Sequence, residues 1–435
     1  MSATRGRVIV VGGGVIGAAC AYYLARDGWS VEVVDRGAFG AACSHGNCGY
    51  VCPSHVLPLA APGAVWGALK AMLRPNSPFR IKPRFDPALW SWLWRFARRC
   101  NQRDMLAAGR AIQALLVSSR ALYDGLLREG PFDCEWEARG LLFVLRSRHG
   151  MDHYAATDRL LRESFGLAAE RYDGEALTAL EPALKPGLAG GWLYRTDAHL
   201  RPDKLMASWR RALEARGVQV RENSAVNGLR GERGRARAAL TPGGDLAADA
   251  FVVAAGALTP LLNRHLGCKL PIQPGKGYSI TMPRPAKCPV YPLIFEEHRV
   301  AVTPMRSGYR LGSTMEFAGY DESLNRRRLA ILTDAARLYL HEPTCELVQE
   351  EWWGWRPMTP DSVPVIGRSP AYENVLIAAG HNMLGVSMAP ATGKLVAELL
   401  GGAAPHLDPA PYSAALEALA RAATGAQAAP NRPAE

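Results

Sequence analysis

Residues 7–17 read Arg7-Val8-Ile9-Val10-Val11-Gly12-Gly13-Gly14-Val15-Ile16-Gly17, and an alanine-rich stretch leads from there to Val31-Glu32-Val33-Val34-Asp35. The first run is apolar throughout, as a strand buried on both faces must be. Gly12, Gly14 and Gly17 fit G-x-G-x-x-G. In that pattern the first glycine turns the chain out of the strand. The second lets a pyrophosphate approach the backbone, and the third lets the helix pack close to the strand. The spacing predicts a helix over 15–26, ended by Gly28. Its free N–H groups, at Val15 and Ile16 among others, carry partial positive charge toward the phosphates. The second strand closes on Asp35, 23 residues after Gly12, where a carboxylate accepts from a ribose 2′-hydroxyl and repels a 2′-phosphate. Arg36 follows it. A glycine triplet alone is weak evidence; strand, triplet, helix, strand and terminal acid together predict a dinucleotide-binding α/β unit.

At 435 residues the chain is long for one core, and two domains are expected. No apolar window of about 20 residues is present, so no transmembrane helix is expected. The glycine-rich fold starts at Arg7 and leaves no room for a signal peptide. A cytoplasmic protein is expected, with peripheral contact at the inner face of the cell membrane as the variant. The net charge of +11 would suit an anionic substrate, an anionic lipid surface or nucleic acid, but without a long basic run it reads first as a solvated surface. No nucleic-acid motif accompanies it, and no nucleic-acid partner is expected. Nine cysteines, an odd and scattered set, fit a reducing compartment. Cys43, Cys48 and Cys52 have a spacing that is not a standard zinc pattern. They read as small hydrophobes near the cofactor, with no metal.

Residues 36–58 are rich in Gly, Ser, Cys and Pro and read as a loop alongside the cofactor, with Ser44, Asn47, Gly49 and Val51 as contacts. Residues 62–130 read as helical. Within them the Trp-rich run 88–99 sits beside a basic patch; it reads as a packed helix in preference to a membrane-interface one. Strands are predicted at 140–145 and 218–221, and helices at 151–165 and from Pro202 to near Gly217. Phe251–Ala257 is a second buried strand ending in the small turn Ala255-Gly256, which suits a return to the phosphates. Segments 278–282, 299–304 and 309–313 alternate as strands of an antiparallel sheet. A helix follows at 322–340, then the stretch 352–361, in which Arg356 stands between tryptophans and a Gly- and Pro-rich turn. The strand 375–380, the turn 381–385 and a helix at 389–400 form a second strand–turn–helix. A marginal helix at 413–424 and a disordered tail from 426 end the chain. The expected organisation is a discontinuous nucleotide domain (1–60, 190–262, 362–425) and a substrate domain (61–189, 263–361).

Three clusters of residues carry a family resemblance. Ser44, Asn47, Gly49, Pro53 and Ser54 match S-x-x-N-x-G-x-x-x-P-S. Lys276-Gly277-Tyr278-Ser279 matches K-G-Y-S. Gly354, Arg356, Pro357, Met358, Thr359, Pro360 and Asp361 match G-x-R-P-M-T-P-D. With the chain start and the Gly380–Lys394 stretch, these resemble the FAD-dependent D-amino-acid oxidase/dehydrogenase superfamily, nearest in look to bacterial D-amino acid and D-hydroxyproline dehydrogenases. The resemblance covers nearly the whole chain. It implies α/β plus α+β architecture: a Rossmann-like FAD-binding domain and a substrate domain built on an antiparallel sheet. FAD is the implied cofactor. Gly12, Gly14 and Gly17 would hold the pyrophosphate, Asp35 the ribose, and Val226 the adenine through its backbone. Gly380, Asn382, Met383 and Gly385, with Thr392 and Lys394, would border the isoalloxazine. Arg356 would clamp the substrate carboxylate and Tyr278 would line the pocket. Related glycine oxidases carry an arginine where this chain has Asn382-Met383, so their specificity does not transfer.

The implied reaction is hydride transfer from the α-carbon of a D-amino or D-imino acid to flavin N5, giving an imine or 2-oxo acid. D-proline and cis-4-hydroxy-D-proline are leading candidates, and a quinone is a candidate electron acceptor. A planar two-donor guanidinium suits the carboxylate. His45, His55 and His381 are candidate proton carriers. Two alternatives stay open: an O2-using amino acid or sarcosine-type oxidase, and a flavin-bearing electron-transfer subunit of a larger complex.

Overall fold

The computed structural model describes residues 5–72 and 77–414. Strand Arg7–Val11 lies inside a six-stranded sheet, between Ser30–Val34 and Ala250–Val253, both parallel to it. Gln219–Arg221 extends the sheet on one side and Val375–Ala379 on the other, again in parallel. Only the edge strand Val365–Arg368 is antiparallel. Strand alternation divides the first strand between two cores. Val8 and Val10 pack with the helices on one face, Ile9 and Val11 with the residues beneath the other. That is why the run carries no polar position.

Helices Val15–Arg26 and Gly385–Gly401 lie together on one face of this sheet. Small residues bring them close: a Cβ on Gly393 would stand 2.5 Å from the carbonyl carbon of Ala19. The second helix begins at Gly385, earlier than the expected 389, and so contains Pro390. Proline lacks the N–H that would bond Val386 four residues back. The freed Val386 carbonyl accepts instead from the Tyr123 hydroxyl at 2.7 Å. Tyr123 belongs to the long helix Gln102–Glu129, which packs across this pair.

The second sheet has nine strands. Its order runs from Glu350–Met358 at the edge through Gln273–Met282, Gly308–Phe317, Val300–Met305, Leu293–Phe295, Leu141–Leu145 and Gly190–Tyr194 to Glu170–Asp173. Phe79–Ile81 adds to Gly308–Phe317 in parallel. The Trp-rich stretch that holds Arg356, for which no element was expected, lies in the nine-residue strand Glu350–Met358. Pro357 fits it because the strand is an edge, where a missing N–H costs no ladder bond. Gly190–Tyr194 belongs to this sheet, so the chain returns to the nucleotide unit after Tyr194 and not at 190. The helical region 62–130 resolves into helices Ala64–Met72, Pro87–Arg99 and Gln102–Glu129 with the strand Phe79–Ile81 between the first two. The helix expected over 322–340 is Arg326–Arg337, started by the Asn325 side chain, which accepts from Arg327 N. A three-stranded antiparallel sheet over 228–247 was not anticipated. The marginal helix at 413–424 and the tail from 426 fall, but for residues 413 and 414, outside the described residues.

Candidate active site

The two helix starts meet. A Cβ on Gly385, the first residue of its helix, would have Val15 Cγ1 at 3.9 Å, and Val15 is the first residue of the other. Neither first turn holds an acid. Two partial positive charges therefore face one place. Gly12 turns the chain there at φ 108°. Gly17 cannot carry a side chain, because a Cβ would collide with the Gly12 carbonyl. Gly14 differs: its Cβ would meet only Ser44 Oγ, at 3.4 Å. Gly256, at φ 55°, has nothing within 4 Å of that position. Open backbone at both glycines, beside two helix N-termini, fits an anionic dinucleotide.

Asp35 ends the second strand, and its two oxygens accept from Gly13 N at 2.6 Å and Gly37 N at 2.8 Å. Each carboxylate oxygen keeps lone pairs for a ribose hydroxyl. Arg36 is exposed, 5.9 Å over the Trp355 ring. Ser44 Oγ accepts from Val15 N at 3.0 Å. Asn47 folds its own loop: its Oδ1 accepts from Gly49 N at 2.7 Å. Gly49 is at φ 75° against the Leu200 carbonyl, and Val51 is buried in a two-residue strand with Ala198. Arg310, itself 1% exposed, anchors this loop. Its Nη1 donates to the carbonyls of His45 (3.0 Å) and Asn47 (2.7 Å). Val226 and Ala255 are half-buried behind the glycine turn.

In the C-terminal turn, Asn382 is a staple. It sits at φ 51°, its Oδ1 accepts from Thr359 N at 2.9 Å, and its Nδ2 donates to Thr359 Oγ1, Ser362 O and Gly380 O. It fixes the turn against the end of the Arg356 strand. Gly380, at φ 80°, packs on the Thr359 methyl. Thr392 is fully buried with its hydroxyl 3.0 Å from His381 Nε2. Burial holds the His381 pKa down to about 3, so that imidazole is neutral. Met383 is half-buried in the turn, and Lys394 points away to pair with Glu398 at 3.8 Å.

Arg356 lies on the face of the second sheet that looks toward the cofactor loop. Its guanidinium sits directly over Gly277, where any Cβ would collide with it. Nη1 donates to the Thr314 carbonyl at 2.6 Å, and Nη2 lies 3.4 Å from the Ser313 carbonyl. Ser313 and Thr314 form a bulge: the register slips between Lys276 and Tyr278, and both residues have positive φ, 111° and 54°. Such conformations are costly without glycine. Here they turn two carbonyls onto one cation. No described carboxylate pairs with Arg356. Burial lowers its pKa, and the nearby thiols of Cys43 and Cys48 oppose this. Burial in turn raises both thiols, Cys43 to about 11, so they are neutral. Cys48 packs on Gly312 and Cys43 on Gly354. On the same face the buried Ser279 hydroxyl lacks a partner.

Tyr278 does not join this group. Arg356 pairs in register with Gly275, and Tyr278 with Trp353, so their side chains leave opposite faces. Tyr278 is buried beneath helix Arg326–Arg337, and its hydroxyl donates to Glu316 Oε2 at 2.6 Å. His45 pairs with Glu350 at 2.7 Å, which raises its pKa; His55 is half-buried with its Nδ1 enclosed, and desolvation lowers its pKa to about 4. The bulge and the two thiols were not identified from sequence as neighbours of Arg356, nor Arg310 as the anchor of the cofactor loop. No glycine stands at the two positive-φ positions of the bulge, and thiol proximity depends on register.

A family model described as FAD dependent oxidoreductase matches residues 7–399. The D-amino acid dehydrogenase of Methylobacterium nodulans is 37% identical over 414 residues, covering 92% of this chain and 96% of its own. That of Granulibacter bethesdensis is 34% identical over 412 residues, covering 92% and 97%. Glycine oxidase from Geobacillus kaustophilus has a similar fold, with TM-score 0.77 at 23% identity over 94% of this chain and 98% of that one. L-proline dehydrogenase from P. horikoshii gives 0.69 at 20%, over 96% and 99%. The glycine cradle, the paired helix starts and a match spanning both sheets agree: the chain belongs to the DAO family of FAD-dependent oxidoreductases.

Proposed function

We propose that the protein oxidises a D-amino or D-imino acid with a small neutral side chain and passes the electrons to a carrier such as a quinone. The observation that carries this is Arg356: a half-buried cation, held by carbonyls, with no described carboxylate to neutralise it. Drawing a charge even partly out of water costs free energy unless something compensates it. A substrate carboxylate would do so with two parallel charge-assisted bonds, which also orient the α-carbon. The neutral thiols beside it offer no counter-charge to a basic side chain, and they leave an apolar wall for alanine or for a proline-like ring. The relatives named D-amino acid dehydrogenase support the donor class and the D configuration.

FAD, when bound, supplies the acceptor for the hydride. Gly12, Gly14, Val15, Ile16 and Gly256 would hold its pyrophosphate, Asp35 its ribose, and Val226 and Ala255 its adenosine end. Gly380, Met383 and Gly385 would border its ring, with Asn382 and Thr392 holding that border in shape. The helix starting at Gly385 would favour negative charge at the ring edge. A neutral amine needs no side-chain base, and none is assigned. The test is the anaerobic visible spectrum of the holoenzyme before and after D-alanine, D-proline, cis-4-hydroxy-D-proline and sarcosine, each chiral compound against its L isomer. Bleaching by a D compound alone is expected. Bound flavin that none of them bleaches overturns the reading; fast return of colour in air would move it to an oxidase.

A further inference from the structure

Residues 64–99 contain eight Lys and Arg against one Asp, a net +7 of the chain's +11. Seven of these cations lie on described residues, among exposed aromatic surface. Helix Ala64–Met72 has no buried residue, although it carries Val65, Trp66, Leu69 and Met72. Trp66 is 63% exposed. Helix Pro87–Arg99 is two-faced. Leu89 and Trp92 point inward, while Trp90, Trp94 and Arg98 share the outer face at spacings of four. Trp94 is 60% exposed, with Arg98 4.7 Å over its ring. Phe85, 83% exposed, leans edge-on against Trp90 at 4.9 Å. Lys70 sits 5.7 Å over Trp66. The helices adjoin: the Cys100 thiol at the end of one lies beside the backbone of Val65 in the other. Neither helix holds an acid, and Asp86 between them is occupied by Arg84 and the Leu89 amide.

We propose that this surface docks the protein on an anionic lipid bilayer. Exposed indoles flanked by cations, on helices with no acid, match the headgroup region: rings enter the acyl boundary while Lys and Arg meet lipid phosphates. A second copy of the chain fits poorly, because it would set two acid-free helices carrying Lys70, Arg95, Arg98 and Arg99 against their like. No described helix is long and apolar enough to cross a membrane, so the contact is peripheral. Docking does not depend on the substrate assigned above. One consequence does rest on that reading. The inner face of the docking helix supports the substrate wall, because Trp92 Nε1 donates to the Met358 carbonyl at 2.9 Å, two residues from Arg356. A lipid-soluble electron acceptor would then be delivered to the same side of the molecule.

The test is flotation of the full-length holoenzyme with vesicles of phosphatidylcholine alone or with about one third phosphatidylglycerol. Binding to the anionic vesicles is expected, falling about tenfold or more on neutral vesicles or in high salt. Trp90→Ser/Trp94→Ser and Trp66→Ser/Leu69→Ser should each weaken it by about tenfold or more. Flavin content and amine oxidation with a water-soluble acceptor should stay unchanged. Absence of binding, or variants that bind as well as wild type, overturns the proposal. So does a salt-stable dimer that the same substitutions split. Because flotation uses no substrate, its failure is separable from failure of the catalytic reading.

Discussion

The Arg356 guanidinium lies 2.6 Å from the carbonyl oxygen of Thr314, a residue whose own backbone is held at φ 54°. The cation is positioned by a dipole, with no opposing carboxylate among the described residues. An acid in that place would orient the side chain as well, but it would compete with the substrate for the charge.

Thr314→Gly should separate holding from binding. Glycine accepts positive φ freely, so relief of strain worth about 1 kcal/mol should keep the melting temperature at or above wild type. The looser carbonyl should raise KM severalfold with little change in kcat. Arg356→Met should lower kcat/KM by about 100-fold or more with FAD retained, the loss of a charge-assisted pair. Steady-state kinetics and thermal melts check both.

Gly14→Val and Gly17→Val should fail differently. The first side chain enters open space, so the protein should fold yet purify without flavin absorbance. The second would strike the Gly12 carbonyl and should give no folded protein. Circular dichroism and flavin content of the two variants distinguish them.

Tyr278→Phe should be a stability variant. Removing the hydroxyl leaves the buried Glu316 without that bond, a cost of about 1–3 kcal/mol. Because the ring faces away from Arg356, kcat/KM should stay within about twofold of wild type. A large catalytic loss with unchanged stability would contradict the assignment of faces.

Asp197 gives a pH signature. It is fully buried, and desolvation lifts its pKa from 3.8 to about 7 against the bonds from Ser54 Oγ and N. Between those values the folded state holds a proton that the unfolded state has lost. This group's contribution is therefore present in acid and is lost as pH rises from about 4 to about 7, by an order of 4 kcal/mol. Asp197→Asn mimics the protonated form. The melting temperature of wild type relative to this variant should fall as pH is raised from 5 to 7.5, and a constant difference would contradict the shift.

The nucleotide unit was readable because each part of it is local. A buried strand, three glycines and a terminal acid lie within 29 residues, and each has one steric reason. Arg356 was readable through the residues around it, but its surroundings were not. Whether Tyr278 faces it depends on a pairing with residues some 75 positions away, and a slip of one residue would reverse the answer. The edge strand Glu350–Met358 was hidden by Gly354 and Pro357, which resemble turn residues until the empty side of the sheet is known. The 228–247 hairpins were legible in principle. Arg233-Gly234 and Gly243-Gly244 are turn signals, with positive φ at Arg233, Gly234 and Gly244.

On the role proposed for Arg356, a cation with no counter-ion among the described residues would also make the resting pocket an anion receptor. Chloride, acetate and other small carboxylates would meet the same guanidinium as the proposed substrate. Turnover would then respond to the anion composition of the medium as well as to its ionic strength, and a poorly hydrated anion would inhibit more than a strongly hydrated one at equal concentration.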